Sequence, residues 1–123
     1  MKTNRLVLVL IVFTLVAAMF AVAAEKGQFA IGSTRGVSFF EPIKIGGVLL
    51  PAGDYKVKHV MEGANHVMIF TNVDKKDKTA KVNCTMEQLK AKAEGNAQEV
   101  KAENGERVLV SLTFKGDTVR HVF

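Results

Sequence analysis

The side chains in this sequence with the chemistry to form a reactive site are three histidines, His59, His66 and His121, and a single cysteine, Cys84. Imidazole and thiolate are good zinc and copper ligands, and a metal centre needs three or four of them converging at about 2.0–2.3 Å. His59, His121 and Cys84 are the candidates for a metal- or thiol-dependent site, because the alternating pattern described below turns all three inward. The local spacings that usually build such sites are absent: there is no paired cysteine, no histidine pair three to five residues apart and no His-Glu-x-x-His. The competing expectation is that His59 and His121 are strand residues satisfied by hydrogen bonds, that His66 is exposed beside a loop, and that Cys84 is a small buried hydrophobe.

Other chemistries have less behind them. No Gly-x-Ser-x-Gly elbow is present for a serine nucleophile. The acids fall on outward or loop positions rather than as a facing pair, as glycoside hydrolysis would need. Gly46-Gly47 precedes no helical pattern, so it reads as a turn and not as a phosphate cradle. The sequence therefore predicts no catalytic residue and no cofactor.

What must position these side chains is a set of strands. The stretch from Phe39 to Met61, followed by the apolar run His66 to Phe70, reads as two hairpins in succession. Pro51 and Gly53 suit the second and fourth places of a type I turn. Tyr55, Val57, His59 and Met61 share one face, and a tight loop at Glu62–Asn65 would set His59 against Met68 and Val57 against Phe70. Ala80, Val82, Cys84 and Met86 alternate with Lys81, Asn83 and Thr85. Later, Val108, Val110, Leu112 and Phe114 alternate with Leu109, Ser111 and Thr113. A two-residue turn at Gly116-Asp117 would pair Phe114 with Val119, Leu112 with His121 and Val110 with Phe123.

Register at Asn104-Gly105 is argued from charge. A two-residue turn would put Lys101 and Glu99 on the face of Val108 and Val110, so a three-residue loop with Gly105 left-handed is expected instead. Residues 85–95 also carry a helical pattern, but the preceding alternation favours a strand end followed by a loop or one helical turn. The expected core is Phe39, Ile43, Ile45, Leu50, Tyr55, Val57, Met68, Phe70, Val82, Cys84, Val110, Leu112, Phe114 and Phe123.

Residues 1–24 have the three parts of a secretory signal peptide: Lys2 and Arg5, the apolar run Leu6 to Phe20, and small residues around Ala21–Ala24. The alternative is an uncleaved membrane anchor. Residues 25–123 then form one domain with one modest core and no stable membrane span. Export with a single cysteine leaves no internal disulfide, so burial and backbone pairing must hold the fold. Asn83-Cys84-Thr85 is a glycosylation sequon that matters only in a eukaryotic host.

Loss of Lys2 and Arg5 lowers the formal charge from +5 to +3. With one tyrosine and no tryptophan, that charge is poor material for nucleic-acid recognition, which adds stacking platforms to a concentrated basic patch. Lys75, Lys76, Lys78, Lys81, Lys90 and Lys92 read first as solubilising and edge-protecting residues, and second as a means of holding an anionic envelope polymer.

The pattern Phe39-x-Glu-Pro-Ile-x-Ile-Gly-Gly, then Leu50-Pro-Ala-Gly-Asp-Tyr-x-Val57, with Arg107-Val-Leu109 and Phe114-Lys-Gly-Asp-x-x-x-His-Val-Phe123, resembles a group of small exported bacterial proteins of uncharacterised function. The resemblance spans most of residues 25–123 and implies a compact antiparallel β-domain with a Leu-Pro-Ala-Gly-x-Tyr hairpin. It implies no activity. Together these readings predict an all-β fold, a small antiparallel sandwich or open barrel of about seven or eight strands after an N-terminal signal helix. The expected role is that of an exported, periplasmic or extracellular, non-catalytic binding or structural module with no identified partner.

Overall fold

The structure is a computed structural model that describes residues 29–123. The expected signal segment and its helix lie outside the described residues. Within them every regular element is a β-strand: β1 (Thr34–Phe39), β2 (Ile43–Ile45), β3 (Val48–Leu50), β4 (Gly53–Glu62), β5 (Asn65–Asn72), β6 (Thr79–Gln88), β7 (Ala97–Glu103), β8 (Glu106–Thr113) and β9 (Val119–Val122). They form one open sheet in the order β1-β4-β5-β6-β9-β8-β2-β3, with β7 on the other side of β8. Pairing is antiparallel throughout except where β2 meets β8 at Lys44 and Val108.

β4 and β5 form the centre of the fold, and alternation explains both. Tyr55, Val57 and His59 are buried while Asp54, Lys56 and Lys58 are exposed, as period-2 side chains on a half-buried strand must be. His59 faces Met68 and Val57 faces Phe70, the expected register. Gly63 closes this hairpin at φ +60°. The next turn, Gly46-Gly47, has φ of +56° and +83° between the paired Ile45 and Val48, the geometry of a type I′ hairpin. This turn abuts β6, so that a Cβ on Gly46 would lie 2.8 Å from the Lys81 carbonyl oxygen. β9 and the β2–β3 hairpin thus occupy successive parts of the space between β6 and β8.

The hairpin at Asn104-Gly105 differs from expectation. Asn104 and Gly105 have φ of +52° and +78°, and Glu103 pairs directly with Glu106, so the loop has two residues and Lys101 faces Val108. The charge argument fails because this end of β7 is exposed on both faces, which makes the position of Lys101 harmless. A bulge between Glu99 and Val100 then shifts the register, so that Gln98 meets Leu112.

At the last hairpin Leu112 pairs with His121 as expected. The turn sits one residue earlier, however: the Asp117 N–H donates to the Phe114 carbonyl at 3.1 Å, with Gly116 at φ +87°. Lys115 and Gly116 are therefore the corners, and Asp117 is free to turn inward. Residues 89–96 form a loop, not a helix. Their backbone groups are taken by that turn: Leu89 N–H bonds the Thr118 carbonyl, Ala93 N–H the Asp117 carbonyl, and Gly116 N–H the Ala93 carbonyl, at 2.8–2.9 Å.

Most of the expected core is buried, from Phe39 and Tyr55 to Leu112 and Phe114. Val82 and Phe123 are only partly buried against it, and Val110 is intermediate while its neighbour Leu109 is buried. Phe29, which precedes every strand, belongs to the core as well. The lysine cluster does not guard the sheet edges: Lys75, Lys76 and Lys78 lie in the β5–β6 loop, Lys81 on the internal strand β6, and Lys90 and Lys92 in the β6–β7 loop.

Candidate functional site

The inward face of β4, β5, β6 and β9 brings all four sequence candidates into one neighbourhood. His59 on β4 is 2% exposed and His121 on β9 is fully buried. The His59 ring stands 5.4 Å from that of His121, edge to face, and 5.2 Å from that of His66. Cys84 on β6 is buried, with its Sγ 4.0 Å from Nδ1 of His121. His66 is half-buried rather than exposed, because it opposes Cys84 across the β5–β6 ladder.

Hydrogen bonding fixes the protons of His59. Its Nδ1 lies 2.9 Å from the Phe29 carbonyl, which can only accept, so Nδ1 carries the hydrogen. Nε2 of neutral His59 is then an acceptor, and His66 Nδ1–H donates to it across 3.1 Å. His121 is less well provided: its Nε2 is buried without a partner. Burial is the main cause that lowers the His121 pKa to about 4, with smaller contributions in the same direction from its neighbours His59, His66 and Arg35. Burial also pushes the Cys84 thiol up, keeping it protonated and a weak nucleophile.

Phe29 seals the cluster. Its ring packs against His59, His121 and Phe114, and its N–H donates to Oδ2 of Asp117 at 3.2 Å. Asp117 is fully buried, an exception to the expectation that the acids lie outward. Burial raises its carboxyl pKa, partly offset by the Arg35 guanidinium and by the Phe29 N–H. Arg35 lies 3.5 Å from Oδ1 of Asp117 and spreads over the Phe29 and Phe114 rings at 5.5 Å.

Chemically the cluster is closed. Both His59 nitrogens are engaged, and among the described residues no three His, Cys, Asp or Glu side chains are grouped to hold a metal ion. The depression beside it touches His66 and Cys84 but neither His59 nor His121.

The open feature lies on the other side of Arg35. β1 and β7 are both edge strands, each paired on one side only, and between them runs a cleft of about 690 Å³. Its walls include Arg35, Gly36, Lys56, Gln98 and Phe114. Gln98 spans it at one end, donating from Nε2 to the Ser38 carbonyl at 2.8 Å. Sequence reasoning missed this cleft; the signal available was a glycine, Gly36, inside a strand pattern, which often marks close approach of a ligand or another backbone.

Fold and site together define an all-β protein built on one open sheet, with a buried imidazole–thiol cluster and a groove between the edge strands β1 and β7. No family model matches the chain, and no curated protein or solved structure matches it either. Among the described residues no helix is long and apolar enough to cross a membrane.

Proposed function

We propose that this chain is an exported, non-catalytic binding module whose site is the cleft between β1 and β7. Export is supported by the charged, apolar and small-residue succession over residues 1–24, and by the resemblance to small exported bacterial β-domain proteins. The observation that carries the binding reading is the cleft: a groove of about 690 Å³ falls in the size range of ligand sites. The groups capable of chemistry are spent elsewhere, in packing around Phe29. The metal- or thiol-dependent alternative through His59, His121 and Cys84 would need both imidazoles to give up their present packing.

The test is an amide-shift map. Isotopically labelled protein is mixed in turn with peptide, glycan and lipid fractions of its host's envelope. Shifts concentrated at residues 34–38, 54–56 and 96–98 are expected with at least one fraction. If shifts occur with none, or only around Lys75–Lys78, the cleft is not the binding site; the second pattern would favour a lysine-mediated anionic partner.

A further inference from the structure

We infer that the outer edge of β1 takes up an extended peptide as an added strand, with an acidic side chain placed over Gly36 to meet Lys56. This rests on the proposed binding role of the cleft and names what fills it.

The backbone supplies the first argument. The Ser33 carbonyl accepts from the His59 N–H at 3.2 Å, and the β1–β4 register continues with Thr34 opposite Lys58 and Gly36 opposite Lys56. In an antiparallel ladder the bonded pairs alternate, so Arg35, Val37 and Phe39 bond to β4. The N–H and C=O groups of Thr34, Gly36 and Ser38 therefore point into the cleft. The Gln98–Ser38 bond agrees with this phase, since a side-chain amide there donates to the carbonyl that an added strand's N–H would reach. A row of unpaired backbone groups is a template for strand addition. Proteins usually blunt such edges with charged side chains, proline or a bulge; Thr34–Phe39 contains no proline, pairs with β4 in unbroken register, and its one charge, Arg35, is held by Asp117.

Gly36 supplies the second. It is exposed at the middle of the edge, and a Cβ there would meet nothing within 4 Å. On the same outward face, opposite Gly36, stands Lys56. With no side chain at Gly36, Lys56 can reach across β1 to the next strand.

Charge selects the occupant. Arg35 already pairs with Asp117, and Asp54 accepts from the Ser38 hydroxyl at 2.5 Å. Lys56 makes no ion pair among the described residues. Among the charged walls of the cleft Lys56, directly opposite Gly36, is thus a cation with no ion-pair partner, while the Asp54 carboxylate keeps its charge two residues along β4, turned to the Ser38 hydroxyl. A second copy docking β1 to β1 about Gly36 would set glycine beside glycine and place the next Lys56 about three strand spacings, roughly 14 Å, away, so it brings no carboxylate to this lysine. An acidic peptide supplies the counter-charge that a second copy lacks.

The test uses a blocked, fluorescently labelled heptapeptide, Thr-Val-Thr-Glu-Thr-Val-Thr, and its twin with Lys in place of Glu, measured by anisotropy at low salt. The Glu peptide is expected to bind about fivefold more tightly, the size of one cross-strand charge pair, and Lys56→Glu is expected to reverse the order. Gly36→Pro removes an N–H that faces the cleft, at an edge position where proline is tolerated; it should abolish binding of the Glu peptide with its melting transition kept, while Gly36→Ala retains both. Should Gly36→Pro fail to fold, the Lys56→Glu reversal decides. Equal binding of both peptides, no binding of either, binding unchanged in a folded Gly36→Pro, or a dimer that this variant dissolves would each overturn the inference. If glycan or lipid fractions still shift the cleft amides when no peptide binds, the binding module stands and the peptide does not.

Discussion

His121 shows how a single residue can make a closed cluster sensitive to acid. Its folded pKa is about 4, against about 6.5 for a solvated histidine, so between those values the unfolded chain binds the additional proton. Stability contributed by neutral His121 is thus complete above about pH 6.5 and is lost as pH falls toward about 4, by up to roughly 3 kcal/mol. Asp117 acts with opposite sign at the acid end, because its raised folded pKa makes the native state hold a proton that the unfolded chain releases. Urea denaturation from pH 7 to pH 4 should show falling stability, and His121→Leu should flatten that slope; an unchanged slope would remove His121 as its source. Gly46 is a second single-residue constraint. Its positive φ and the 2.8 Å approach of the Lys81 carbonyl oxygen leave no room for a methyl group, so Gly46→Ala should cost at least about 1 kcal/mol in the same denaturation measurement.

At the scale of elements, the segment Phe29–Ser33 acts as a strap. Gly32 N–H bonds the His59 carbonyl at 2.6 Å, and the His59 N–H bonds the Ser33 carbonyl in return. The Phe29 ring then closes over His59, His121 and Phe114. Truncating it should cost about 3 kcal/mol, the usual loss for a buried Phe→Ala change, and should speed exchange of the backbone amides of Val57, His59 and His121. A smaller loss, with exchange unchanged, would mean that the strap is ornamental. The strap was not legible in the sequence, because no periodicity announces an isolated aromatic before the first strand. Strand positions were legible, since Tyr55, Val57 and His59 alternate with lysines and the partners Met68 and Phe70 follow from a two-residue turn. The β7–β8 register was misjudged because alternation says which side chains share a face and not whether that face is covered. Lys101 faces Val108 at an end of the sheet that nothing covers.

For the whole molecule, closure is what separates the two candidate regions. The curled sheet buries the imidazoles and thiol on its inner face and leaves an unfilled seam where β1 and β7 approach. Because the donors are engaged or face apolar walls, equimolar zinc or copper is expected to leave the melting temperature within about 1 °C, whereas tight binding to the native state alone would raise it by several degrees. A clear rise, abolished by Cys84→Ala and His121→Leu, would favour the metal-dependent alternative. Peptide occupancy of the seam should behave differently: melting rises with ligand concentration, and its charge-dependent part weakens with salt.

By itself the sequence determined that the described part of the chain builds a sheet, which side chains turn inward, and that His59, His121 and Cys84 are among them. Period-2 alternation and turn chemistry are local properties, so they can be read along the chain. Only the tertiary structure decided that the three gather with His66 behind Phe29, that Asp117 is buried to hold that residue, and that Gly36 faces an open seam. Those outcomes depend on how far the sheet curls and which edges meet, and these are set by packing between residues distant in sequence.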